Sequence, residues 1–99
     1  MGSRFNFTDF GFESEEQFQR AMTCGPIVRF EIRKASGDVR HAETRLEMAK
    51  TVRQTEVEQA MGETSMTRFI DDWVVLHEDT VAICKDRLAF LREMQAENF

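Results

Sequence analysis

Between Ser65 and about Ala96 apolar side chains return every three or four positions, the interval that gathers them on one face of a helix. Ile70, Val74, His77, Val81, Cys84, Leu88 and Leu91 follow heptad spacing, and Phe69, Leu76, Ile83 and Phe90 form a second stripe beside them in seven-residue steps. With Met66, Trp73 and Met94 on its flanks, the apolar arc covers roughly 160° of the helix, wider than a two-stranded seam requires. The opposite face, with Asp71, Asp72, Glu78, Asp79, Lys85, Asp86, Arg92 and Glu93, reads as solvated. A helix of this length spans roughly 45 to 50 Å. Covering its arc needs long helices on two sides; an earlier helix of the chain supplies one, and a second copy is the simplest source of the rest.

Upstream, two templates compete for residues 27–61. Val28, Ile32, Ala35, Val39, Ala42, Leu46 and Ala49 keep an unbroken three-four spacing, the seam of a helix packed on another helix. Val28, Phe30 and Ile32 also alternate with Arg29, Glu31 and Arg33, and Ala35-Ser-Gly-Asp38 resembles a turn, which is the pattern of a β-hairpin over about 27–45. Seven matched positions outweigh three, so the prediction is a helix over 26–61. Ser36-Gly37-Asp38 suits a helix interior poorly and predicts a kink or break there, with Asp38 as a fresh cap. Gly62 and the hydroxyls of Thr64, Ser65 and Thr67 predict a tight turn between two antiparallel helices.

The first thirteen residues differ in kind. Phe5, Phe7, Phe10 and Phe12 fall in a segment with little helical character, so their rings must bury against the rest of the protein or a partner, and the segment reads as a docking arm. Ser14, followed by Glu15, Glu16 and Gln17, is a capping-box pattern that opens a short helix within 14–24, closed by Cys24-Gly25-Pro26. The fold class that follows is all-α. It consists of a long antiparallel helical hairpin with a short N-terminal helix and a Phe-rich arm, completed into a bundle by self-association, and the chain forms one domain.

Charge and chemistry narrow the function classes. A net charge of −5 argues against binding a phosphate backbone, which requires a basic surface, so no nucleic-acid role is expected. No apolar run is long enough to span a bilayer, and the N-terminus lacks a signal-peptide apolar core, so a cytoplasmic protein without a membrane contact is expected. Cys24 and Cys84 match no paired metal or redox spacing and read as free thiols.

His77, on the apolar face, has Thr80 and Val81 where a second metal ligand would stand, and reads as a hydrogen-bonded core or interface residue. His41 has only Asp38 at ligand spacing, and Asp38 reads as a cap. Neither a metal nor a cofactor is expected, nor any catalytic residue.

These patterns predict a small helical assembly or adaptor protein that self-associates as a dimer. Its expected contact residues are Ile70, Trp73, Val74, His77, Val81, Leu88 and Leu91, together with the Phe arm, which could also take a protein partner. The alternative is a small metal-dependent or acid/base enzyme whose site forms between subunits from His41, His77 and nearby carboxylates.

Overall fold

The computed structural model describes residues 5–99, so the first four positions of the expected arm lie outside the described residues. A 3-10 turn, Phe7–Phe10, leads into three α-helices: α1 (Glu15–Met22), α2 (Gly25–Ala60) and α3 (Ser65–Asn98). No strand occurs among the described residues, so the protein is all-α and the β-hairpin alternative over 27–45 is excluded. The alternation that suggested strands is undone by helical geometry: Val28 is fully buried whereas Phe30, two positions on, is 59% exposed.

Each end of these helices has a local cause. Ser14 Oγ accepts the Gln17 backbone N–H at 3.1 Å and opens α1. The Gln17 side chain reaches back as a capping box requires, but to the Glu13 N–H at 2.8 Å rather than to that of Ser14. Pro26 sits in the first turn of α2, where the N–H it lacks has no helical partner to lose. The junction that stops α1 therefore also starts α2.

The expected break at Ser36-Gly37-Asp38 does not occur, and α2 runs through it. A glycine inside a helix costs about 1 kcal/mol relative to alanine. Ala35 before it and Ala42 after it are both buried, and burial on each side outweighs that cost. Asp38 is consequently a mid-helix residue and caps nothing.

At its far end α2 closes in a Schellman turn. Met61 N–H donates to the Glu58 carbonyl at 3.4 Å and Gly62 N–H to the Val57 carbonyl at 3.1 Å. The left-handed residue in this turn is Met61, at φ 58°, a position that glycine usually fills. α3 then opens on two threonines that cap each other. Thr67 N–H donates to Thr64 Oγ1 at 3.2 Å and Thr64 N–H to Thr67 Oγ1 at 2.7 Å, which satisfies the hydroxyl of the fully buried Thr67.

The chain forms two compact units, one from the described residues up to Ser36 together with Asp86–Phe99, the other from Gly37–Lys85. In the first, Phe18, Met22, Val28, Ala35, Phe90 and Leu91 form the core, and the Phe arm packs against it. The Phe10 ring stacks on Phe18 at 5.5 Å and on Phe90 at 5.9 Å, and Phe5 lies 5.4 Å from Phe90. Asn98 of α3 donates its amide to the Met22 carbonyl at 2.9 Å, satisfying an end carbonyl of α1.

In the second unit α2 and α3 pack as an antiparallel helical hairpin around Ala49, Ile70 and Val74, with Leu46 against them. Arg53 ties the helices to their connection, since its Nε donates to Asp71 and its Nη2 to Glu63 at 3.0 Å. The Asp71 hydrogen bond and charge raise the Arg53 pKa further above its already high ordinary value.

Two substitutions in the Gly37–Lys85 unit test this description. Met61→Gly relieves a left-handed methionine and is expected to raise stability by about 1 kcal/mol in urea unfolding. Ala49→Leu forces extra methylenes between two close helices and is expected to lower it by about 1 to 3 kcal/mol. An Ala49→Leu variant as stable as the parent contradicts a packed alanine seam.

Candidate interaction surface

Along α2 the buried positions Val28, Ala35, Ala42 and Ala49 recur every seven residues, and three of the four are alanine. Small side chains at the contact let a second helix axis approach closely. In the Gly37–Lys85 unit α3 turns Thr67, Ile70, Val74 and Val81 inward, and all four are buried. The second α3 stripe, offset by part of a turn, does not reach that seam. Phe69 is 68% exposed, Leu76 60% and Ile83 53%, and Met66 beside them is exposed as well.

Both helices of this hairpin contribute to the exposed apolar side. Met48, 62% exposed, and Val52 project from α2. Met48 and Arg45 line a cleft of about 290 Å³ with Trp73 and His77 of α3, which places Met48 and Trp73 on one side of the hairpin. The Trp73 and His77 rings meet edge to face, with centroids 5.0 Å apart at 77°. A shallower groove of about 560 Å³ follows α2 from Glu43 to Val52. Asp72 and Asp79, both exposed, flank the Phe69 and Leu76 row on α3.

The residues expected from the sequence to form an interface divide among three environments. Phe5, Phe7, Phe10 and Phe12 are half-buried against the core of the first unit, where Leu88 also packs and Leu91 is buried. Ile70, Val74 and Val81 are buried in the second unit, within the chain. Trp73 stays exposed and His77 half-buried on the cleft. Phe69, Leu76, Ile83 and Met48 were not among the expected contacts. One available signal was side-chain size: an alanine-rich α2 seam accommodates Val74, Val81 and Thr67 more readily than Phe69 and Leu76.

His41 is exposed on α2, and Asp71, expected to be solvated, is half-buried and engaged by Arg53. Among the described residues no group of three or more His, Cys, Asp or Glu side chains is placed to hold a metal ion. Cys24 and Cys84 are free thiols, both half-buried. No helix among the described residues is long and apolar enough to cross a membrane. In the first unit, the Arg87 guanidinium carbon lies 5.8 Å from the Phe10 ring centroid, a cation-π contact that holds the arm.

What the exposed face offers is area to remove from water, at roughly 25 cal/mol per Å² of apolar surface covered. Large exposed apolar patches mark interaction sites more often than they occur on a bare monomer surface. The contrast between the two stripes is measurable by chemical unfolding of dilute protein. Leu91→Ala is expected to cost about 2 to 5 kcal/mol as a buried truncation. Leu76→Ala is expected to stay within about 0.5 kcal/mol of the parent as a surface change. Equal losses for the two contradict the assignment of stripes. No known protein family matches the chain, and no curated protein or solved structure matches it either.

Proposed function

We propose that the protein is a helical assembly protein that acts through protein-protein contact, and that its first partner is a second copy of itself, giving a dimer. The observation that carries this reading is the row of large apolar side chains left exposed along one side of the hairpin, Phe69, Trp73, Leu76 and Ile83 from α3 with Met48 and Val52 from α2. Phenylalanine, leucine and isoleucine at seven-residue steps are the side chains with which one helix packs on another. Trp73, at their centre, is the residue type most enriched at the energetic centres of interfaces.

The Phe arm is assigned a different task. Its rings are engaged with Phe18 and Phe90 inside the first unit, so the proposed contact surface is the hairpin face. The composition of that face also separates this reading from the enzyme alternative, since burial of apolar area explains every exposed residue in the row, and a site built on His41 and His77 explains none of them.

The test is absolute mass in solution by light scattering across a range of protein concentrations. The parent chain is expected at twice the single-chain mass, and Phe69→Asp combined with Leu76→Asp at the single-chain mass with unchanged helicity by circular dichroism. A parent that keeps the single-chain mass at every concentration overturns the reading.

A further inference from the structure

The arrangement of charges around this face selects how a second copy sits on it, given the self-association proposed above. Two hairpins laid face to face by a two-fold axis complete a four-helix bundle in one of two ways. With the axis across the helices, α3 of one copy runs antiparallel along α3 of the other. With the axis along the helices, α2 of each copy lies antiparallel against α3 of the other.

The first arrangement opposes like charges. Leu76 is the midpoint of the row Phe69, Leu76 and Ile83, so the greatest apolar overlap sets Leu76 against its own counterpart. Asp72 of each copy then comes beside Asp79 of the other, and the symmetry makes the clash twice. Both aspartates are exposed, and neither has a cation within salt-bridge distance among the described ion pairs. Opposed carboxylates at a contact disfavour that pairing.

The second arrangement avoids the clash, and the register within the hairpin says what meets what. Arg53 is bonded to Asp71, which sets those two residues at one level. Five positions back along α2 and five on along α3, Met48 is level with Leu76; three positions further, Arg45 is level with Asp79. An axis along the helices preserves these levels between copies. Met48 of one copy then covers Leu76 of the other, Val52 comes level with Asp72, and Arg45, which lines the cleft of its own copy, comes level with Asp79 of its neighbour. The α2 carboxylates two positions on either side of Arg45 are already paired within their own copy, Glu47 with Lys50 at 3.6 Å and Glu43 with Lys85 at 3.6 Å.

We infer that two copies pair through residues 37–85 with their two-fold axis along the helices, α2 of each against α3 of the other. In this bundle the cleft of each copy is closed by its neighbour, and Trp73, Met48 and Leu76 are taken out of water together.

Site-directed cross-linking of the full chain tests it. In a background with Cys24→Ala and Cys84→Ala, one variant carries Met48→Cys and another, distinguished by a tag, carries Leu76→Cys. After mixing and mild oxidation, the pair containing one of each is expected at about tenfold the yield of Leu76→Cys oxidised alone, because a disulfide needs its Cβ atoms within about 3.5 to 4.5 Å. Strong cross-linking of Leu76→Cys to itself, with none in the mixture, overturns the inference in favour of the crossed axis. Neither cross-link in protein whose mass is twice that of one chain also overturns it while leaving self-association intact. Single-chain mass in the parent removes the self-association on which the inference rests.

Discussion

The alanine seam of α2 is the constraint from which the rest of the molecule follows. Ala42 and Ala49 in the hairpin, and Val28 and Ala35 in the other unit, stand at seven-residue steps and are buried. In the hairpin the small side chains of Ala42 and Ala49 set a close approach that admits one α3 stripe only, whereas in the other unit Phe90 of the second stripe is buried beside Val28 and Ala35. Thr67, Val74 and Val81 fit and are buried, whereas Phe69, Leu76 and Ile83, bulkier and offset by part of a turn, are left outside. The inner packing therefore decides what the outer surface is. The proposed interface is the half of a broad apolar arc that the alanines do not take.

The two units solve the same burial problem differently. In the hairpin unit two helices leave apolar surface uncovered. In the unit formed by α1 with parts of α2 and α3, Phe5, Phe10 and Phe12 lie against the rings of Phe18 or Phe90 and Phe7 packs on the same core, so the aromatic arm completes it. Gly11, in the left-handed conformation at φ 80°, donates its N–H to the Thr8 carbonyl, and Phe12 donates to the Phe7 carbonyl at 3.0 Å. That turn directs successive rings toward one core.

Helix class, the antiparallel hairpin, the N-cap of α1 and the turn near Gly62 were legible in the sequence because each rests on local physics: periodicity, a capping hydroxyl, a glycine after a helix. The break expected at Gly37 was misread for the same reason. Local propensity there points away from a helix, and buried alanines on both sides override it. The breadth of the apolar arc on α3 was also legible. Which of its two stripes faces inward was not, since periodicity assigns both to one side and only the partner helix distinguishes them. Trp73 was named among the contacts from its position flanking the arc. Leu76 and Met48 required the hairpin register set by Arg53 and Asp71.

The chain has one tryptophan, and it stands at the centre of the proposed surface. Its emission maximum, followed by dilution from micromolar to nanomolar concentration, reports directly on whether that surface is wet or covered. A red shift on dilution, with the same midpoint as the fall in mass, is the result expected of a face that a second copy covers. An emission maximum that holds still while the mass halves contradicts the central claim, because the copies then separate without uncovering Trp73.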